Sequence, residues 1–213
     1  MSSAATLTQA PRWLEWAREI QALAQTDIHY SENHFQKERS LRLLEIAAEI
    51  IAGHTDLETP ELVRIFQAQI GYATPRVDVR AAVFLDGRIL LVRESLDGGW
   101  TMPGGWADVG DLPSASAERE VWEEAGFKVR ARRIVGVYDA NRIDPLQLFH
   151  AYKLVFLCEI VGGSARTSFE TSEVGFFSQD ELPPDLSPER TQARHLRDAF
   201  EAIHNPGCPA VFD

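Results

Sequence analysis

Between Gly105 and Phe127 the sequence GWADVGDLPSASAEREVWEEAGF gathers residues whose types and spacing suit a divalent cation and a phosphate. Glu120, Glu123 and Glu124 stand at i, i+3 and i+4, so a helix here puts all three carboxylates on one face. Like charges at that spacing destabilise an isolated helix by a few tenths of a kcal/mol. A fold that keeps them usually supplies a cation, and hard divalent ions such as Mg²⁺ take carboxylate oxygens together with substrate phosphates. An acidic helix face is by itself ordinarily a solvated surface. Two neighbours set this one apart. Pro103-Gly104-Gly105 closes a loop just before it, and Arg119, four residues ahead of Glu123, pairs with that carboxylate and orients it.

The same segment carries the signals of a packed helix. Pro113 suits a first turn, Ala117, Val121 and Ala125 form an apolar stripe on the other side, and Gly126 fits a left-handed C-terminal position. The elements that must position it change character near Pro75. Before that point Trp13, Trp16, Ala17, Ile20, Leu23 and Ala24 recur at helical spacing, and so do Leu43, Ala47, Ile50 and Ile51. Thr59-Pro60 reads as an N-cap and first helical proline, opening a third helix with Leu62, Phe66 and Ile70 on one side. Three short helices make a thin core, so their apolar stripes are expected to pack on a catalytic domain or a second subunit.

After Pro75, residues 77–84 and 89–92 read as strands about an Asp86-Gly87 hairpin turn, and Asp97-Gly98-Gly99 marks another turn. Residues 133–138, 149–160 and 174–178 read as further strands. Ser187-Pro188 is expected to cap a C-terminal helix with Leu196, Phe200 and Ile203 inward. The predicted domains are 1–74, helical, and 75–213, mixed.

Residues 105–127 resemble the Nudix box, G-x5-E-x7-R-E-U-x-E-E-x-G-U, with U a bulky aliphatic or aromatic residue. Gly105, Arg119, Glu120, Val121, Glu123, Glu124, Gly126 and Phe127 fall on its fixed positions, and the early Glu is Asp111. In the family that carboxylate supports rather than joins the main ligand cluster, so the change bears on positioning. The resemblance implies an α+β fold, an α/β/α sandwich with a mixed sheet, here preceded by a small all-α N-terminal domain. It implies hydrolysis of a nucleoside diphosphate linked to another group, by water attacking one phosphorus, with Mg²⁺ or Mn²⁺ as cofactor.

On this reading Glu120, Glu123 and Glu124 hold the ion with the backbone carbonyl of Gly104 nearby, and Arg119 orients. The general base is a box glutamate or a later loop acid, with Glu170 preferred to Glu173. Arg80 and Arg93, on strands leading into the site, could touch phosphates through planar guanidiniums. Trp106 and Asp108 follow the glycine loop and could contact the leaving group or base. Asp139 and His150 complete the candidates, His150 also reading as a structural strand histidine. Residues 77–80, 91–94 and 100–110, with Ala24-Gln25, Tyr30, Asn33 and Glu38-Arg39, resemble a Nudix subgroup with an N-terminal helical extension, some members of which act on CDP-choline or ADP-ribose.

Composition limits the partners. Hydrophobic content of 45% and charged content of 25% are globular values, so the 213 residues can bury a sizeable core. A formal charge of −11 argues against nucleic acid or an anionic membrane as partner, while a small nucleotide can be met locally by metal. Cys158 and Cys208 have neither a disulfide-framework nor a zinc spacing. With no membrane-length apolar run and no basic-then-apolar leader, the cytoplasm is the expected compartment, and a homodimer through the helices the expected assembly. Two alternatives stand beside this reading. A non-hydrolytic Nudix-fold regulator predicts an eroded box, which is not what this sequence carries. A Nudix enzyme acting on RNA 5′ ends or nucleoside triphosphates keeps the box and is separated by substrate screening.

Overall fold

A computed structural model of the chain describes residues 11–140 and 148–213. Two compact units divide it: the N-terminal helices with Leu148–His150, and the rest of the chain from Arg76. In the first, α1 (Arg12–Tyr30), α2 (His34–Ala52) and α3 (Thr59–Gln67) pack together. Asn33 caps α2 by accepting from the Phe35 amide at 2.9 Å. Glu58 occupies the cap position of α3, so Thr59 is already helical and Pro60 sits within the first turn. The buried faces are Leu14, Ala17 and Ala24 on α1 and Leu44, Ala47, Ala48 and Ile51 on α2. This corrects part of the expected stripes: Trp16, Leu23 and Leu43 are exposed, and Ile70 lies beyond the end of α3 and is exposed too. Helical spacing defines a stripe, but with apolar residues spread widely around α1 it does not say which edge turns inward.

The second unit is a mixed sheet between two helices. Its strands are β1 (Arg76–Leu85), β2 (Arg88–Glu94), β3 (Trp100–Thr101), β4 (Gly104–Trp106), β5 (Phe127–Asp139), β6 (Ala151–Gly163), β7 (Thr171–Phe177) and β8 (Val211–Phe212), with α4 (Pro113–Ala125) and α5 (Ala193–His204). The order is β3-β2-β1-β6-β5-β8, with β4 paired to β1 and β7 to β2. β1 runs parallel to β6 and antiparallel to β2 and β4.

Alternation along β1 and β2 builds two cores. Val79, Ala81, Val83, Leu90 and Val92 pack with Ala117, Val121 and Ala125 of α4. Ala82, Ile89 and Leu91 pack with Leu196, Ala199 and Phe200 of α5. The α/β/α sandwich expected from the sequence is therefore present.

Other details differ from the expectation: β5 begins at Phe127 and not at residue 133, β7 spans Thr171–Phe177 and not 174–178, and the short β3, β4 and β8 were not foreseen. β6 begins at Ala151, because Phe149 instead stacks edge-on with Phe66 at 6.2 Å among the helices. α5 begins at Ala193, not after Ser187-Pro188. Its cap is Gln192, whose amide donates to His195 Nδ1 at 3.1 Å. Burial holds that histidine well below its ordinary pKa. No helix of the described residues is long and apolar enough to cross a membrane.

Candidate active site

The glycine loop reaches the acidic helix because β4 is tied to β1, with Arg80 opposite Gly104 and Val79 opposite Gly105. Gly104 has φ 147°, and a Cβ there would lie 2.0 Å from the Val79 carbonyl oxygen. Only glycine lets the backbone come so close. Its amide then donates to Glu124 Oε2 at 3.0 Å. Thr171 of β7 fixes the far end of the helix, donating to the Glu124 carbonyl at 2.7 Å.

Glu124 is only 5% exposed. Burial pushes its carboxyl up to about 8, although Arg80 and the Gly104 amide both favour the ionised form. Burial also raises Glu120, against the pull of Arg119, and Glu94, against that of Arg190. These groups line a cavity of about 320 Å³. Its walls carry six carboxylates, of Asp78, Glu94, Glu120, Glu124, Glu170 and Glu189, and two guanidiniums, of Arg80 and Arg190, beside Gly104, Gly105 and Trp106.

Arg80 is buried and fixed. Its Nε and Nη2 donate to Asp78 at 3.0 and 3.5 Å, and Nη1 to the Met102 carbonyl at 3.3 Å. Asp78 is held in turn by Lys153, its register partner on β6. Burial lowers the fully buried Lys153 ammonium to about 8.

The exposed part of α4 is organised by Arg119. Its guanidinium meets Glu120 at 2.9 Å, Glu123 and Asp108 at 3.0 Å and Asp111 at 3.5 Å. Asp111 also accepts from Ser116 Oγ at 3.4 Å. The shorter acid in the box is thus one arm of a four-carboxylate clamp on Arg119.

Of the expected site residues, Gly104, Glu120, Glu124, Glu170, Arg80 and Trp106 line the cavity. Arg119, Glu123 and Asp108 form the cluster just described. Arg93 is drawn elsewhere, donating to the Gly98 carbonyl at 2.8 Å and pairing with Glu173 and Asp185 at 2.7 and 3.3 Å. Asp139 ends β5, where its amide donates to Asp213 Oδ2 at 2.9 Å, and it is not part of the cavity lining. His150 belongs with the helical unit.

Asp78, Glu94, Glu189 and Arg190 escaped the sequence reading. Asp78 and Glu94 carried a faint signal, Asp78 lying two residues before Arg80 on the same face of its strand and Glu94 next to Arg93. Glu189 and Arg190 had none, lying in a turn that reads as a helix start.

Residues 74–199 match the NUDIX domain. The chain belongs to the Nudix family. Residues 11–66 match a UDP-X-like N-terminal oligomerisation domain, the helical extension of this Nudix chain. It is 35% identical over 203 residues, 95% of this chain and 97% of the other, to a Bacillus subtilis (strain 168) protein named "Putative ADP-ribose pyrophosphatase YjhB". A crystal structure of a UDP-X diphosphatase superposes with TM-score 0.62 at 29% identity, covering 94% of this chain and 98% of that one. A crystal structure of an ADP-ribose pyrophosphatase from Streptococcus suis 89-1591 superposes with TM-score 0.60 at 39% identity, covering 66% of this chain and all of that one. This Nudix protein is a pyrophosphohydrolase.

Nudix hydrolases generally use divalent metals. The donor set fits one: carboxylate oxygens, two of them buried and carrying raised pKa values that a cation would reverse. Among the described residues no three acidic, histidine or cysteine side chains already converge on one point. Arg119 instead pairs with Glu120 and Glu123, at 2.9 and 3.0 Å.

Proposed function

We propose that this Nudix enzyme cleaves the diphosphate bond of nucleoside diphosphates joined to a second moiety, of the ADP-ribose or CDP-choline type, using Mg²⁺ or Mn²⁺. The observation that carries the reading is Glu124, buried in the cavity wall and fastened to the glycine loop, with Glu120 one turn away. The relatives named for ADP-ribose and UDP-X support the substrate class. A cavity of about 320 Å³ suits part of such a molecule, at the small end of ligand pockets.

Glu120, Glu123 and Glu124 with the Gly104 carbonyl would hold the ion, which would supply charge neutralisation at the phosphates and acidify the attacking water. Arg80, rigid on Asp78, sets positive charge beside Glu124. Arg119, braced by Asp108 and Asp111, orients Glu120 and Glu123. Glu170 removes the proton of the attacking water. Trp106, about half exposed and 5.9 Å from the Arg76 guanidinium, offers a ring face to the base or leaving group.

The test is a panel of ADP-ribose, CDP-choline and UDP-linked sugars, assayed for phosphate-ester products with Mg²⁺, with Mn²⁺ and with EDTA. Ranked kcat/KM values that vanish in EDTA are expected. Turnover of none of the panel, or turnover indifferent to EDTA, sinks the proposal.

Residues 1–74 act as the association module and residues 75–213 as the hydrolase, in a homodimer. Exposed Trp16, Leu23, Phe35 and Leu43 support the association, as does the oligomerisation domain matched there. Sedimentation should give twice the chain mass, and Trp16→Glu should shift it toward one. A wild-type monomer removes this part. The free thiols of Cys158 and Cys208 suit the reducing cytoplasm as the place of action.

A further inference from the structure

The turn over residues 185–191, between β7 and α5, is pinned against residues 99–102, the stretch through β3 that leads into the glycine loop. The Trp100 amide donates to the Asp185 carbonyl and the Ser187 amide to the Trp100 carbonyl, both at 2.8 Å. Thr191 Oγ1 accepts from the Met102 amide at 3.0 Å and bonds Thr101 Oγ1 at 2.8 Å. Gly99 makes the approach possible, since a Cβ there would stand 2.7 Å from Ser187 Cα.

Arg190 projects from this turn into the cavity lining. Its Nε meets Glu94 at 3.1 Å, and its Nη1 meets Asp97 at 3.1 Å and Ser187 Oγ at 3.2 Å. These contacts fall on Nε and Nη1, and Nη2, which lies between the two, is not among the atoms they use. Arg80, the other guanidinium of the lining, is almost fully buried with all three nitrogens engaged. A diphosphate entering this cavity brings negative charge to walls already crowded with carboxylates. Metal on α4 answers Glu120 and Glu124, but Glu94, Glu170 and Glu189 lie outside that ligand set.

We infer that Arg190 is a substrate-binding residue that grips a phosphate oxygen of the nucleoside diphosphate, aimed by Glu94 and Asp97. The inference rests on the hydrolytic reading for its substrate and on the pinned turn for its geometry. A planar guanidinium preset in this way gives up little conformational freedom on contact.

Steady-state rates on ADP-ribose with Mg²⁺ and calorimetric titration with ADP test it on the full chain. Arg190→Gln should raise KM for ADP-ribose and Kd for ADP about tenfold or more, the range of a charge-assisted hydrogen bond, with kcat nearly kept. Arg190→Lys should fall between that variant and wild type. Asp97→Asn, which removes one brace and leaves the guanidinium on Glu94, should move both constants less than about threefold, a surface-pair effect. KM and Kd unchanged in Arg190→Gln overturn the inference. So does Asp97→Asn matching Arg190→Gln in full, because the effect would then belong to the turn. If the glutamine variant fails to fold, the lysine variant decides: raised constants support the contact and unchanged ones overturn it. A wild-type protein inert on every diphosphate, whose ADP binding still weakens in Arg190→Gln, sinks the hydrolytic reading and keeps this contact.

Discussion

Glu124→Gln is expected to lose about 10³-fold or more in kcat, the scale of removing a metal-side charge from a phosphoryl-transfer site. It is also expected to make the metal-free protein more stable. The carboxyl is raised from 4.5 to about 8, chiefly by burial. An acid with a raised folded pKa binds its proton more tightly in the native state. Its stabilising contribution is fully present below pH 4.5 and is lost as pH rises through about 8.

Above that pH wild type carries a buried, unmetallated charge, and the variant does not. Glutamine still offers an oxygen to the Gly104 amide. At ~1.4 kcal/mol per pKa unit the advantage is on the order of a few kcal/mol at pH 8–9, and it shrinks toward pH 5. Thermal melts in EDTA across that range measure it. With saturating Mg²⁺ the order should narrow or reverse, because only wild type gains the full binding energy of the ion. Near-normal turnover in the variant would refute the assignment of Glu124. A pH-independent difference in melting would refute the buried-charge account.

Gly104→Ala should be the most damaging single methyl in the catalytic unit. The added Cβ would meet the Val79 carbonyl oxygen at 2.0 Å and Arg80 Cα at 2.9 Å, backbone atoms that cannot swing aside. β4 must then retreat from β1, breaking the Arg80–Gly104 register and the hydrogen bond to Glu124. We expect a loss of more than about 3 kcal/mol in denaturant unfolding, beyond ordinary overpacking, together with loss of activity. Gly98→Ala and Gly110→Ala are the controls. Both glycines have positive φ, 71° and 102°, with open space where the Cβ would go. Each should cost only the ~1–2 kcal/mol of left-handed backbone. Equal losses at all three positions would discard the close-approach argument.

These two effects differ in how far they could be foreseen. The acidic face, Arg119 and the apolar stripe of α4 were legible because a helix writes its geometry into spacing within one segment. The longer strands were legible in part for the same reason, their alternation and turn residues being local, while the short β3, β4 and β8 and the first six residues of β5 were not. The clash at Gly104 was not, since it depends on which strand β4 meets. Asp78 and Glu94 offered only the hint of standing near candidate arginines on their strands, because their place in the cavity follows from sheet register. Ser187-Pro188 misled for a related reason: a residue suited to capping was taken up by tertiary bonds, with Ser187 donating to Asp97 at 2.8 Å. In α1 the spacing was right and the inward edge was not, because Trp16 and Leu23 satisfy the same period as Leu14 and Ala17.

Arg119 is itself a charged occupant of the site. With four carboxylates on one guanidinium, it behaves as a resident counter-ion on an ion-exchange site. On the proposed metal-dependent reading, a divalent cation claiming Glu120 and Glu123 would not meet naked anions but would compete for ones already paired with Arg119. Its affinity would then be a difference between two pairings, and the displaced Arg119 would remain held by Asp108 and Asp111.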